Sequence, residues 1–240
     1  GFDAKELAAL TPVPEVTEDE VPEPPETPIT QRGDIWTLGR HRLMCGDSAS
    51  RSDVETLMVG IRASCVMTDP PYGVDIGAKN RLLNSVQPSG RCLEDIRDDA
   101  LSPDELKVVL APAMVNLREC VMADDCTLFV CSPQGGGLGM MMMMMMMKEC
   151  GLEARHVLIW KKNQPTFSLG RLDYDYAHEP ILLTWTKRHK RPMRGEHRTS
   201  VWEIDRERKC DSHPTMKPVA LYANAYLNNS EDRDVVADIY

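Results

Sequence analysis

No two of the eight cysteines form a Cys-x-x-Cys pair, and no set of cysteines and histidines has the spacing of a zinc site. That absence argues against a metal centre built on paired ligands, and no structural metal is expected. No apolar run is long enough to cross a membrane, and no charged-then-apolar leader opens the chain. The simplest setting is therefore the cytoplasm, with reduced thiols. Cations are in deficit as well: 28 Lys and Arg face 37 Asp and Glu, a formal charge of -9. Such a balance argues against a generically sticky nucleic-acid binder.

The charge is unevenly spread. Glu15, Glu18, Asp19, Glu20, Glu23 and Glu26 fall in a proline-rich stretch, residues 11–30, without apolar periodicity. Residues 1–32 are expected to be an extended, disordered linker, which Gly1-Phe2-Asp3 enters as if from an upstream domain. In contrast, Lys187, Arg188, Lys190, Arg191, Arg194 and Arg198 cluster with His189 and His197 against Glu196 alone. A local basic patch on an acidic chain suits contact with a DNA backbone, although a solvated loop of ordinary cations would read the same way.

At 240 residues the chain can hold one sizeable α/β domain. Ser102-Pro103-Asp104-Glu105 predicts a helix start, and Leu106, Val109, Leu110, Ala113, Met114 and Leu117 continue it at helical spacing. A helix is also expected over 52–58, and strands at 43–45, 126–131, 156–160 and 180–185. Residues 73–90, rich in Gly, Asn, Ser and Pro, read as a mobile loop. Gly135-Gly136-Gly137-Leu138-Gly139 fits neither a P-loop nor a dinucleotide fingerprint. The eight methionines after it, Met140 to Met147, predict a helix covering one sheet face, though a run without a polar face has no explanation in the sequence.

The most informative residues are Asp69-Pro70-Pro71-Tyr72, which follow the apolar run Cys65-Val66-Met67-Thr68. That run reads as a buried strand, and ligands of open α/β sheets bind beyond the carboxyl ends of the strands. Proline fixes its own φ and donates no hydrogen bond. The Pro70 carbonyl and the Asp69 carboxylate are thus two acceptors on a stiff turn, and Tyr72 offers a ring for stacking. An exocyclic amine on a nucleobase has two N–H groups and a π-face, which match this set. The ordinary alternative is a tight turn capped by an aspartate.

Three further segments share this order: Gly33-Asp34-Ile35-Trp36 through Gly46-Asp47; Leu169-Gly170-Arg171 through His178-Glu179-Pro180; and His213-Pro214-Thr215-Met216-Lys217-Pro218, ahead of a helix-like stretch, 219–228, and a strand-like run, Asp234 to Tyr240. Together the four resemble the amino-group DNA methyltransferases in their permuted β-class order, over roughly residues 33–240. The resemblance implies a Rossmann-like, doubly wound α/β sheet. Its third to seventh strands would end at Asp47, Asp69, Cys131, Trp160 and Trp185, and its first would be Val235–Ile239. The glycine-rich turn, helix and second strand that normally follow are missing, and Ile239-Tyr240 stand where Pro-Phe is usual, so a fragment is expected.

The resemblance also implies chemistry. The cofactor would be S-adenosylmethionine and the partner double-stranded DNA. Asp69, Pro70, Pro71 and Tyr72 would be catalytic. Asp47 would contact the cofactor adenine, His213, Thr215 and Lys217 would lie near its methionine part, and Asp238 would precede its glycine loop. Residues 186–209 would read the DNA sequence. A ParB-like upstream domain and a restriction-modification setting are further implications, and a homodimer stays open. Aspartate leading the quartet favours adenine N6, because cytosine-N4 enzymes more often have serine there. Cytosine N4 is the alternative within the class, and an inactive DNA-binding remnant the alternative outside it.

Overall fold

Alternating sheet faces explain the architecture. The structure is a computed structural model that describes residues 27–86, 88, 93, 95–135, 139–166, 173–206 and 216–240. The expectations for residues 1–26, for Leu169-Gly170-Arg171, and for His213 and Thr215 lie outside the described residues. A six-stranded sheet carries β3 (Ala63–Thr68), β4 (Met122–Cys131), β5 (His156–Thr166), β6 (Tyr176–Trp185), β7 (Val201–Glu203) and β8 (Val236–Ala237), in the order β7-β5-β6-β4-β3-β8. β8, β3 and β4 run parallel, β6 is antiparallel to β4 and β5, and β7 runs parallel to β5.

Every residue of β3 is buried, as expected for a parallel strand covered on both faces. Val66, Leu128, Val130 and Leu182 turn to one face. Helices α1 (Arg51–Met58), α3 (Pro103–Asn116) and α4 (Gly139–Glu149) cover it with Val54, Leu106, Leu110, Met114, Met143 and Met146. Cys65, Met67, Phe129, Cys131, Trp160 and Ile181 turn to the other, under Leu221 and Ala225 of α5 (Val219–Asn229). The result is a three-layer α/β/α arrangement with a mixed sheet. Among the described residues, no helix is long and apolar enough to cross a membrane.

The α3 start is a full capping box, with Ser102 and Glu105 each bonded to the other's backbone N–H and Pro103 in the first turn. The methionine run is helical, and its position on the sheet supplies the face that its composition lacks. Met143, Met146 and Met147 are buried at helical spacing, whereas Met141 is 74% exposed.

Two expectations fail. Residues 41–44 form β2 (His41–Met44), but it pairs with β1 (Ile35–Leu38) in a separate antiparallel hairpin and does not join the main sheet as its third strand. Both strands are largely exposed, so neither has two apolar faces to place in a sheet interior. Gly39, with φ +61°, opens the tight turn between them. Within 73–90, residues Ile76–Val86 are helix α2, not a loop. Asp75 accepts from the Ala78 N–H, and Asp99 accepts from the Ile76 N–H, so two carboxylates satisfy the helix start despite its weak propensity.

Candidate active site

Asp69 follows the last residue of β3, and the parallel register places Asp238, after β8, beside it at the carboxyl edge of the sheet. The Thr68 hydroxyl donates to Asp238 Oδ1 at 2.9 Å. Asp238 is an exposed residue, yet its carboxyl group is crowded. Desolvation, helped by the charge of Asp69, pushes it up to about 6, although solvent over the exposed part weakens the effect.

The quartet remains open at its first residue. Pro70 is buried, Tyr72 is half-buried, and the Asp69 side chain is 24% exposed. Among the described residues none donates to the Pro70 carbonyl. Both oxygens of Asp69, however, already accept bonds. Tyr72 Oη donates to Oδ1 at 2.8 Å, and Lys217 Nζ donates to Oδ2 at 2.6 Å. Desolvation, then the Asp69 charge, holds the Tyr72 phenol well above its ordinary range, so it stays a proton donor. The Lys217 ammonium also lies 5.2 Å from the centroid of the Tyr72 ring. Lys217 therefore sits on the Asp69–Tyr72 turn itself.

Three acidic and basic residues outside the predicted set complete the site. Trp160 of β5 pairs with Glu179 of β6, and residues directly opposite share a face, as do Trp160 and Lys162 two positions apart. Glu179 and Lys162 therefore point together toward α5, and Lys162 Nζ donates to Glu179 Oε1. Lys217 Nζ lies 3.4 Å from Glu179 Oε2, with side-chain exposures of 7% and 15%. That contact is electrostatic only: it lacks hydrogen-bond geometry, and buried Oε2 has no hydrogen-bond partner. Desolvation alone would raise Glu179, but the Lys217 and Lys162 ammonium groups outweigh it and hold the carboxyl below its usual range. Lys162, sharing its one carboxylate with Lys217, is lowered because desolvation wins there. Lys217 faces two carboxylates, whose charges overcome desolvation and raise it.

Asp99 is the third. It is 4% exposed, and its carboxylate accepts from the backbone N–H groups of Tyr72, Gly73, Val74 and Ile76. It ties the segment after Tyr72 into a fixed course. No local sequence pattern marks it, because its partners lie 23 to 27 positions away. Glu179 belongs to the His178-Glu179-Pro180 segment, and its pairing with Lys217 is visible only once β6 and the chain before α5 meet.

Asp47 lies on the same edge. It accepts from the Ala49 N–H, stands 3.6 Å from Arg32, and lies near enough to Tyr240 for its charge to act on that phenol. The structure thus gathers Asp47, Asp69, Lys217 and Asp238 at one end of the sheet.

The predicted basic patch goes elsewhere. β6 runs against β4, with Trp185 opposite Thr127, so the chain leaves β6 at the amino ends of the parallel strands. Thr186 and Arg188 bond to Cys126 and Asp124 backbone carbonyls there. Three of the cations meet internal partners: Lys187 with Asp124, Lys190 with Asp234, and Arg194 with Asp232. Arg191 bonds to His189, and Arg198 to the Gly195 carbonyl. Of the segment 186–209 expected to read DNA, residues 186–194 lie toward the sheet edge opposite Asp69. Only at β7 does this segment turn back, where Ile204 and Arg206 bond to Lys161 and Asn163.

Two cavities, of about 330 and 260 Å³, also lie away from Asp69, around Arg51 and Glu119 and around His189 and Trp202. They carry no part of the arrangement above. The geometry around Asp69 joins a partly open acceptor, a ring and a buried run of alternating charges. It suits a flat ligand with N–H donors.

A family model described as DNA methylase matches residues 63–240. Comparison with curated proteins found no match. Among solved structures, the M1.HpyAVI–SAM complex is similar at 15% identity and a TM-score of 0.49, over 80% of this chain and 79% of that one. TTHA0409 of Thermus thermophilus, assigned as a DNA modification methylase, gives 15% identity and a TM-score of 0.49 over 81% and 77%.

Proposed function

Because the chain belongs to the DNA methylase family, we propose that it transfers a methyl group from S-adenosylmethionine to N6 of an adenine flipped out of duplex DNA. The observation that carries this reading is the Asp69 carboxylate, 24% exposed at the carboxyl end of a buried parallel strand, on a turn stiffened by two prolines and flanked by Tyr72. A target amine is a poor nucleophile because its lone pair is delocalised into the ring. Hydrogen bonds from its N–H groups to Asp69 and the Pro70 carbonyl favour a tetrahedral nitrogen and direct the lone pair outward. Holding the amine in that orientation supplies much of the remaining acceleration. Asp69 need not be a strong base, since the methylated amine is far more acidic and releases its proton afterwards. Extruding the base costs a few kcal/mol, and stacking on Tyr72 returns about 1–3 kcal/mol.

The residues present fit the cofactor. Its adenine carries an amine and its methionine part is cationic, and Asp47 and Asp238, on the same edge as Asp69, are the carboxylates that would hold these two parts in turn. When bound, it supplies an electrophilic methyl group. Double-stranded DNA is the partner that follows. Lys161, paired with Glu203, and Arg206 lie on the edge of Asp69, unlike the start of the Lys187–Arg198 segment.

The test is mass spectrometry of nucleosides from duplex DNA incubated with the whole protein and S-adenosylmethionine. N6-methyladenine is expected, and Asp69→Ala should abolish it while DNA binding is largely kept. Turnover unchanged by Asp69→Ala would overturn the role of the turn. N4-methylcytosine instead would keep methyl transfer and move the target.

A further inference from the structure

The target site is already occupied by the protein itself. Lys217 Nζ bonds Asp69 Oδ2 at 2.6 Å and lies 5.2 Å from the centroid of the Tyr72 ring, so the acceptor and the ring that would take a base both carry an ammonium group. Tyr72 Oη fills the other Asp69 oxygen at 2.8 Å. An incoming amine must displace Lys217 from Asp69. An ammonium with only 7% exposure cannot be released without a new partner, because a buried unpaired charge is costly.

That partner is Glu179. Glu179 Oε2 is buried, lacks a hydrogen-bond partner, and lies 3.4 Å from Lys217 Nζ. Lys162 grips the other oxygen of the same carboxylate, so Glu179 is held in place and need not follow. We infer that Lys217 has two stations: it rests on Asp69 while the target site is empty and moves onto Glu179 Oε2 when a base amine engages Asp69. This rests on the methyl-transfer reading. No bond is made or broken except hydrogen bonds, and no charge leaves the site. A shift of about 0.5 Å brings Nζ within hydrogen-bonding distance of Oε2, and a retreat of about 1 Å from Oδ2 releases Asp69. Lys217 is the gate of the acceptor, and Glu179 is a positioning residue that acts through Lys217.

The consequence separates base entry from chemistry. In Glu179→Gln the second station loses its charge, Lys217 stays on Asp69, and the base must compete for it. The expected result is a KM for duplex DNA about tenfold higher, with kcat at saturating DNA changed less than about twofold. Fluorescence of 2-aminopurine at the target position, which reports the extruded base, should fall in parallel. Glu179→Asp keeps the charge and should restore KM to within about threefold of the parent. A role in packing alone predicts the reverse order, because Gln conserves volume and Asp does not.

A third measurement needs no variant. A crystal structure of the whole protein with duplex DNA and cofactor should show Nζ within about 3 Å of Glu179 Oε2. Nζ still on Asp69 with the base in place would overturn the inference, as would an Asp variant worse than the Gln variant. Wild-type turnover tests the methyl-transfer reading separately. Its absence fails that reading, whereas normal turnover with the reversed order of variants fails the two-station inference alone.

Discussion

The two ends of the sheet use charge differently. At the carboxyl end, Lys217, Lys162, Glu179 and Asp69 are packed together with side-chain exposures of 7%, 4%, 15% and 24%. At the amino end, Lys187 and Asp124 also form a 2.7 Å pair, but with exposures of 77% and 74%. There the chain is anchored by neutral amides: Asn224 and Asn228 of α5 bond to the backbone of Gly195 and His197. An exposed pair is screened by water and contributes little, whereas a buried one makes each group depend on its partners. Equal ion-pair distances thus conceal unequal roles. Charge shapes the site at one end, while at the other an exposed pair such as Lys187–Asp124 stands beside the half-buried Lys190–Asp234 pair.

The largest effect that would sharpen this contrast is on Asp99, which anchors the chain after Tyr72. Asp99→Ala removes a buried carboxylate that satisfies the N–H groups of Tyr72, Gly73, Val74 and Ile76. Leaving several buried donors unpaired should cost about 3 kcal/mol. The measurement is urea unfolding, in which the midpoint should fall with little change in slope. An unmoved midpoint would show that water replaces the carboxylate, and that the carboxyl end tolerates charge loss as well as the amino end.

How far such effects were legible in the sequence follows the same divide. Local signals held: the capping box at Ser102, the buried strand before Asp69, and the helix in the methionine run all came from neighbours in the chain. What was missed is long-range. Helix α2 depends on Asp99, which lies 23 residues beyond Ile76. β2 looked like a sheet strand because four residues cannot show whether one face or both will be covered. The cluster Lys187–Arg198 looked like a free patch because the acids that neutralise it, Asp124, Asp232 and Asp234, come from two distant segments. Likewise, Lys217 was placed near the cofactor by its motif, and its bond to Asp69, 148 positions away, appears only in the fold.

A smaller effect is expected from Asp238. Its folded carboxyl titrates at about 6, above the 3.8 of the free group, so the folded state takes up a proton that the unfolded state has already released. This group therefore opposes folding above pH 6, and the penalty fades as pH falls from about 6 toward about 4. Asp238→Asn should remove that dependence. The expected outcome is a stability gain for the variant at pH 7.5 that shrinks toward pH 4.5, read from unfolding midpoints at both values. A constant difference would mean that Asp238 is too well solvated to couple with Asp69, and that the site's electrostatics end at Lys217.

The smallest effect is expected at the amino end, from Lys187→Ala. Its ammonium is spent on Asp124, both groups are exposed, and the residue is on the edge opposite Asp69. The unfolding midpoint should not move measurably, and methyl transfer should keep its kcat. DNA affinity gives the sharper reading, because each phosphate neutralised by a cation contributes about 0.9 to the slope of log K against log salt. Lys187→Ala should leave that slope unchanged, while a slope smaller by about 0.9 would place a phosphate on Lys187. In that case DNA would reach around to the amino ends of the strands, and the exposed pair with Asp124 would be a resting state that the nucleic acid breaks.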